Sequence, residues 1–397
     1  MKNRRIIGLL NPARNFTVAC FTRIPAVLLL AAGFQVLSVQ VKAQTTPIDM
    51  TTTAVPFLSI SPDARAGGMG DLGLATAPND AYSGLHNAAK TPFSTERSAI
   101  GFTYTPWLRD ITQDMYLLSA AGYNRLDDNQ ALTASLRYFN LGNVALSDYS
   151  GNKLTTSNPR EYSFDLGYAR KLSDKLGIGL TLRYIHSNLA SGQVNGTNYK
   201  AGNAVAADVS LYYDGRKKAG NGSDREGQGW SAGLVFSNLG SKISYSNDAT
   251  AKDYLPANLG IGIAYHGVVE EDNTFTLSGE GNKLLVPAAP SDSAGQSDYH
   301  EMGIAKSWGK SFSNSAYRFS VGGEYGYKNL FFLRLGYSAE TLQAGNLKYL
   351  TTGLGLKWTK MGIDFSYIVP SGNGITRNPL SNTFRLGLSF AVTNSNK

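Results

Sequence analysis

Residues 162–169 read Tyr-Ser-Phe-Asp-Leu-Gly-Tyr-Ala, a strict alternation of large apolar side chains with small or polar ones. Successive side chains of a β-strand point to opposite faces, so this stretch predicts a strand with one apolar and one polar face. The same period of two recurs at 178–184, 259–265, 331–337, 363–369 and 384–392. The sequence therefore predicts an all-β fold over residues 97–397.

The candidate strands alternate with connections of two lengths. We place the strands at 97–106, 113–123, 130–140, 160–170, 176–186, 204–214, 229–238, 257–266, 273–284, 317–327, 330–339, 349–358, 362–369 and 382–392. A soluble β-sandwich would show the same alternation, with its apolar face turned inward. Short turns that alternate with long polar loops are typical of a membrane barrel and favour that fold. We therefore expect a 14-stranded antiparallel transmembrane β-barrel.

One segment tests this strand count. Residues 297–312 carry Tyr299, Met302, Ala305, Trp308 and Phe312 at spacings of three and four. A strand there would give an odd number and reverse the alternation of loop lengths. The spacing favours a short amphipathic helix in the longest external loop, and its apolar stripe either meets a partner or packs over the barrel mouth.

Residues 1–43 have the composition of a signal peptide. They include six basic and no acidic residues, and 24–39 is apolar with few interruptions. We expect a mature chain that starts at Gln44; a membrane anchor is the alternative, for which the apolar run is short. Without this segment 31 Lys and Arg remain against 29 Asp and Glu, which gives little support for nucleic-acid binding. The only cysteine, Cys20, also lies there, so the exported chain has no disulfide chemistry.

A glycine-rich stretch precedes the first predicted strand. Residues 62–71 read Pro-Asp-Ala-Arg-Ala-Gly-Gly-Met-Gly-Asp, and three glycines within four residues allow a backbone to pass close to other groups. We interpret 44–96 as a hatch segment that lies in the barrel lumen; an ordinary surface loop is the alternative. The residues expected to anchor this hatch are Asp63, Arg65, Gly67, Gly68, Met69 and Gly70.

Nine charged residues fall on the polar face of the predicted strands. Charged side chains that face lipid are costly, so these are expected to point into the lumen. Four basic and five acidic groups favour a network of ion pairs that ties the hatch to the wall, with a charge-selective pore as the alternative. The residues are Asp165, Arg183, Asp208, Glu280, Glu324, Arg334, Lys357, Asp364 and Arg385.

The sequence contains no convincing catalytic or metal-binding constellation. The four histidines, His86, His186, His266 and His300, show neither close pairing nor the HExxH spacing. The glycines at 67–70 are not followed by the Lys-Ser/Thr of a phosphate-binding loop. We therefore expect a protein that is not an enzyme and has no cofactor and no metal.

Several stretches resemble one known family. Residues 57–70, Phe-Leu-Ser-Ile-Ser-Pro-Asp-Ala-Arg-Ala-Gly-Gly-Met-Gly, are similar to the mature N-terminal signature of the PorV (LptO) family of the type IX secretion system. Asn-Ala-Ala-Lys at 87–90 is similar to the family's Asn-Pro-Ala-Lys, with Ala88 in place of proline. Further matches follow in the family's order at 283–287, 323–325, 334–337 and 364–370.

This resemblance implies an outer-membrane barrel akin to the FadL transporters, with a hatch in the lumen. It further implies that the protein binds the C-terminal signal domain of exported cargo at the large translocon barrel Sov (SprA). Delivery would be to a surface attachment complex that contains the sortase-like PorU, with outer-membrane lipid around the barrel. From loop position we select Trp107, Tyr299, Trp308 and Phe312 as candidate partner contacts. The rival hypothesis is a FadL-like outer-membrane channel for hydrophobic small molecules.

Overall fold

The structure, a computed structural model, describes residues 51–110, 112–147, 153–190, 192–194, 197–217, 227–247, 252–269, 272–290, 292–371 and 378–393. The predicted signal peptide at 1–43 and the first hatch residues, 44–50, lie outside these ranges. The strands in chain order are β1 Glu96–Pro106, β2 Tyr116–Arg125, β3 Gln130–Asn140, β4 Val144–Ser147, β5 Lys153–Ser157, β6 Arg160–Lys171, β7 Leu176–Asn188, β8 Gly192–Val194, β9 Thr197–Tyr199, β10 Gly202–Asp214, β11 Gly229–Gly240, β12 Asn258–Val269, β13 Asn273–Leu284, β14 Tyr317–Tyr327, β15 Phe331–Glu340, β16 Lys348–Trp358, β17 Met361–Ile368 and β18 Phe384–Thr393.

Fourteen of these strands close into one antiparallel barrel within the described residues, which confirms the predicted fold. Each barrel strand pairs with its neighbours in the chain, and β1 closes the ring by pairing with β18, with Ala99 opposite Ala391. The pairs β4–β5 and β8–β9 are separate two-stranded ribbons in the long loops. The predicted strand 113–123 begins later, at Tyr116, and the Trp107 N–H donates to the Met115 carbonyl next to the last pair of β1 and β2.

The apolar face of the wall points outward, as a membrane barrel requires. Leu166 and Leu182 are 55% and 62% exposed, whereas their strand neighbours Asp165 and Arg183 are 2% and 5% exposed. A soluble sandwich would bury the leucines instead, so the exposure of this face decides between the two readings left open by periodicity.

Residues 51–95 thread through the barrel and form the hatch. They contain 3₁₀ turns at Pro56–Ser59 and Ala88–Phe93 and the short helices α1 Ala64–Gly68 and α2 Ser83–His86. The Ala54 N–H donates to the Tyr254 carbonyl in a long loop at 2.9 Å. At the other end, Arg125 next to a short turn donates to the Ser94 carbonyl at 2.9 Å. The hatch thus runs from the long-loop end of the lumen to the short-turn end.

Apolar side chains of the hatch complete the core of the barrel. Phe57 and Leu58 pack against Phe139 and Ile185 of the wall, and the rings of Phe57 and Phe139 stack with centroids 6.3 Å apart. Closer to the short turns, Tyr82 packs against Tyr123 in a second cluster. The lumen is therefore packed at two levels by apolar contacts between hatch and wall.

The long loop between β13 and β14 contains two helices, α3 Ser293–Glu301 and α4 Ile304–Lys310. The predicted single helix over 297–312 is corrected by this finding: the chain is interrupted at Met302 and Gly303, since Gly303 is in an extended conformation and begins α4 as its N-cap. Short 3₁₀ turns follow at Ser311–Ser313 and Leu342–Ala344.

No helix in the described part of the chain has the length and apolar character needed to cross a membrane.

Candidate functional site

Helix α1 of the hatch begins at a carboxylate cap. The Asp63 side chain accepts hydrogen bonds from the backbone N–H groups of Arg65 at 2.8 Å and Ala66 at 3.1 Å. It also contacts His86 Nε2 at 3.3 Å. Aspartate is a favoured N-cap because it satisfies N–H groups that have no partner inside the helix. Asp63 therefore stabilises the hatch internally, and within the described residues it forms no ion pair with the wall.

Glycines on both surfaces let the hatch backbone touch the wall backbone. A Cβ added to Gly336 would lie 2.0 Å from the Met69 carbonyl carbon and 2.1 Å from the Gly70 nitrogen. A Cβ added to Gly353 would lie 2.9 Å from the Gly68 Cα. Gly70 has a φ of +79°, a conformation that favours glycine. Its N–H donates to Thr351 Oγ1 at 2.9 Å. The glycine-rich stretch is therefore a docking segment and not an ordinary surface loop.

A first charge network joins α1 to the wall. Arg65 donates to both carboxylate oxygens of Glu324, with N–O distances of 2.8 and 3.0 Å. Glu324 also accepts from Arg334 Nε at 2.6 Å, and Arg334 Nη1 donates to Asp364 at 2.6 Å. Two-point pairing between arginine and carboxylate is the strong and directional form of this interaction.

Arg385 connects a second part of the hatch to β18. Its Nη2 lies 3.0 Å from Asp71 Oδ1, and its Nε donates to the Ser61 carbonyl at 3.0 Å. Asp71 also accepts from the Tyr349 hydroxyl at 2.6 Å. Arg385 is 2% exposed, so its positive charge is compensated inside the lumen by the hatch.

A second charge network occupies the wall at the long-loop end. Arg183 pairs with Asp165 at 2.7 Å and with Asp208 at 2.9 Å. Arg137 lies 3.6 Å from the same Asp165 and donates to the Leu58 carbonyl of the hatch at 3.1 Å. This arrangement places a guanidinium between two carboxylates, so neither acid is buried without a cation.

The other two predicted lumen residues, Glu280 and Lys357, have partners outside these networks. Glu280 accepts the backbone N–H groups of Gly73 at 2.7 Å and Leu74 at 2.6 Å. Lys357 lies 3.5 Å from Glu96 near the short turns. The nine predicted wall residues thus line the lumen in separate groups: Glu324, Arg334 and Asp364 with Arg65; Arg385 with Asp71; Asp165, Arg183 and Asp208 with Arg137; Glu280 on the hatch backbone; and Lys357 with Glu96.

Four ionisable groups of the hatch have shifted pKa values, among them Tyr82, whose pKa is raised by burial. Burial raises the pKa of Asp63, but the hydrogen bond and charge of His86 together with two backbone donors outweigh burial, so this pKa lies below its usual value. Burial and the neighbouring charge of Asp63 raise the pKa of Asp80 to about 6, although Arg65 lies 3.7 Å away. Burial lowers the pKa of Lys90 to about 8.

Sequence reasoning missed several residues that hold the hatch. Arg137 shares the inward parity of Thr133 and Ser135 on β3, so the period of two could have revealed it. Lys90 had no such signal: its Nζ donates to the Gly73 carbonyl at 2.6 Å inside the hatch. Asn87, quoted only for its resemblance, bridges hatch and wall by donating to the carbonyls of Leu74 at 3.0 Å and Leu211 at 3.1 Å.

The four candidate partner contacts lie in different environments. Phe312 is 59% exposed, and Trp308 of α4 is half-buried. Trp107 is half-buried against two apolar clusters. The expectation for Tyr299 needs correction: it is 5% exposed and packs edge-to-face on Tyr254, with centroids 5.1 Å apart. A tyrosine that is covered by its own loop offers no surface to a partner.

Among the described residues, no group of three or more His, Cys, Asp or Glu side chains is placed to hold a metal ion.

Comparison with solved structures shows the fold. The crystal structure of the Ralstonia pickettii toluene transporter TbuX is similar with a TM-score of 0.50 and 13% identity, over 83% of this chain and 97% of that chain. The CymD monoaromatic hydrocarbon channel is similar with a TM-score of 0.50 and 11% identity, over 83% of this chain and 97% of that chain. At such identity the likeness concerns the barrel architecture alone. No sequence among the curated proteins matches the chain.

The sequence profile of one family covers more than half of the chain. It is described as "Type IX secretion system protein PorV" and matches residues 42–291, which include the hatch and the first half of the barrel. The chain therefore belongs to the PorV family of the type IX secretion system.

Proposed function

We propose that this outer-membrane protein acts in type IX secretion by binding the C-terminal signal domain of exported cargo and carrying it to the surface attachment complex. The observation that carries the proposal is the family match over residues 42–291. The translocon barrel Sov (SprA) would supply the cargo, and a complex with the sortase-like PorU would receive it. The protein itself would catalyse no reaction, and its signal peptide at 1–43 would be removed on export.

The contacts between hatch and wall support an adaptor more than a solute channel. A movable plug needs a surface from which it can detach at low cost. Here the hatch is joined to the wall by backbone-to-backbone contact of Met69 and Gly70 with Gly336 and by the two-point pair of Arg65 with Glu324. Withdrawing Arg65 from this buried pair leaves Glu324 with Arg334 alone and costs about 2 kcal/mol. The FadL-like channel for hydrophobic solutes is therefore the weaker hypothesis.

The proposed cargo contacts are two aromatic residues of the longest loop, the exposed Phe312 and the half-buried Trp308. Long loops of outer-membrane barrels face the cell exterior, and interface energy is concentrated in a few aromatic anchors. Phe312 and Trp308 satisfy both conditions. The matched control is Trp358, which is 77% exposed but lies at the short-turn end of β16.

The test is complementation of a deletion strain with the wild type, the double variant Trp308→Ala/Phe312→Ala, or Trp358→Ala. Mass spectrometry then quantifies exported proteins in the periplasm and on the cell surface. We expect the deletion to retain proteins with a shared C-terminal domain in the periplasm, the double variant to retain them partly, and the control to restore secretion. Intact secretion in the deletion strain, with reduced uptake of a hydrophobic compound, would contradict the proposal and favour the channel.

A further inference from the structure

A cavity of about 470 Å³ lies beside the hatch at the long-loop end of the lumen. Residues 51–53 and 58–62 of the hatch form one side, and the ends of β14 and β15 form another. Its volume falls in the range of small-ligand sites, roughly 300–1,000 Å³. The charge networks between hatch and wall do not fill this space. The polar groups that line it therefore need a separate explanation.

Arg318 and Glu340 face this cavity as a pair of opposite charges that attract each other without a direct hydrogen bond. They lie directly opposite each other on β14 and β15, and both line the cavity. In the described part of the chain no hydrogen bond or ion pair engages the Arg318 guanidinium, and none joins it to Glu340. Glu340 Oε2 is buried and accepts no hydrogen bond from any described residue. The cavity thus offers a donor group and an acceptor atom on adjacent strands.

Further unmatched polar atoms border the same space. Among the described residues, the hydroxyl oxygens of Thr51 and Ser61 are buried without a hydrogen bond, and both residues line the cavity. Arg137 lines it too, and its Nη2 forms no hydrogen bond beyond the 3.6 Å ion pair with Asp165. Arg137 is 3% exposed, so its guanidinium is fixed inside the protein and not on its surface. Buried polar groups without partners are uncommon and costly, and a bound polar ligand would satisfy them together.

The lining selects the chemistry of such a ligand. A guanidinium is suited to bind a carboxylate through two parallel hydrogen bonds. The neighbouring Glu340 carboxylate repels a second full anion but accepts an N–H. A phosphate or sulfate supplies no N–H donor and carries more negative charge, so it fits this pair less well. A carboxylate with an N–H next to it satisfies both residues.

We propose that this cavity binds a carboxylate with an adjacent N–H group, held by Arg318 at the carboxylate and by Glu340 at the N–H. An N-acylated amino acid has this chemistry, and so does the C-terminal end of a polypeptide chain. The inference rests on the cavity alone and does not require the secretion role, since the wall residues that form it are independent of Trp308 and Phe312.

The test uses the full-length protein in lipid nanodiscs and isothermal titration calorimetry. The probes are N-acetyl-triglycine, its C-terminal amide, and N-acetylglycine. We expect the tripeptide acid to bind and the amide to bind at least tenfold more weakly. This comparison uses wild-type protein alone, so it remains informative if variants fold poorly. Absence of heat at millimolar acid, or equal binding of acid and amide, would overturn the proposal and leave water as the occupant.

Variants then assign the residues. Arg318→Met should weaken binding of the acid at least tenfold and remove the preference for acid over amide, whereas Glu340→Gln should weaken acid and amide alike. The matched control Arg160→Met removes an exposed arginine at the same end of the barrel and should change neither. An unchanged affinity in Arg318→Met would also overturn the proposal. N-acetylglycine identifies the source: equal affinity indicates a small solute, and at least tenfold weaker binding than the tripeptide indicates a chain end.

Discussion

Arg65 in the hatch and Glu324 on β14 form a two-point ion pair with N–O distances of 2.8 and 3.0 Å. They are 259 residues apart in the sequence, so this contact ties the hatch to a wall strand far along the chain. Glu324 is shared with Arg334, which is itself held by Asp364. This carboxylate therefore connects the hatch to β14 and, through Arg334 and Asp364, to β15 and β17.

Removing Glu324 should destabilise the protein more than removing Arg65. Glu324→Met leaves two buried guanidinium groups with less compensation and should lower the free energy of unfolding by roughly 3–5 kcal/mol. In Arg65→Met the carboxylate keeps Arg334, so we expect about 2 kcal/mol. Denaturant unfolding in lipid vesicles measures both, with the exposed Arg160→Met as a control that changes little. The opposite order of the two losses would contradict the shared-carboxylate arrangement.

A methyl group at Gly336 should displace the hatch. Its Cβ would fall 2.0 Å from the backbone of Met69, which cannot move unless the whole hatch moves. Overpacking of this kind typically costs about 1–3 kcal/mol. We expect Gly336→Ala to lower the unfolding midpoint and to produce ion conductance in planar bilayers.

The matched control for Gly336 is Gly279→Ala. Gly279 is also in a barrel strand, but an added Cβ would find its nearest neighbour at 3.9 Å. It should keep wild-type stability and remain closed. Equal conductance of the two variants would show that strand glycines matter for the wall itself and not for hatch docking.

The sequence predicts the wall well because the period of two assigns each strand residue to a face. Asp165 and Arg183 were placed in the lumen by parity alone, and they pair there at 2.7 Å. The alternation along a strand shows which face a side chain is on but not how far it lies from side chains on other strands. It therefore could not show which of the lumen charges pair with one another. The hatch has no period, which is why Lys90 and Asp80 went unnoticed. The burial of Tyr299 depends on Tyr254 in another loop, a contact that no local pattern encodes.

The raised pKa of Asp80 makes stability depend on pH. The native state holds this proton up to about pH 6, whereas the unfolded chain releases it near pH 3.8, the ordinary pKa of an aspartate. Between these values the native state binds more protons, so this group lowers the free energy of unfolding as the pH rises. Two pKa units correspond to about 2–3 kcal/mol. Asp80→Asn should therefore gain stability relative to the wild type from pH 4 to pH 7, measured by thermal unfolding at both values.

Asp63 provides the control of opposite sign. Its pKa lies below the usual value, so its ionised form stabilises the native state at neutral pH, and this contribution is lost as the pH falls through the native pKa. Asp63→Asn should be more destabilising at pH 7 than at pH 3. The same pH trend in both variants would contradict the assigned directions.

The Tyr254 hydroxyl should control the order of the longest loop. Its single O–H proton is shared between the carbonyls of Tyr299 at 3.0 Å and Met302 at 2.9 Å, where α3 ends. Tyr254→Phe keeps the ring contact but removes this shared donor, a loss of about 1 kcal/mol. Because the loop is anchored outside the barrel, we expect faster proteolytic cleavage within 285–316 and an unchanged global unfolding midpoint.

The control is Tyr337→Phe, at a position 42% exposed on the outer wall, which should change neither the cleavage rate nor the midpoint. If cleavage is equally slow in both variants, ring packing with Tyr299 holds the loop and the hydroxyl does not. Faster cleavage in Tyr254→Phe together with reduced cargo secretion would instead connect loop order to the surface that carries Trp308 and Phe312.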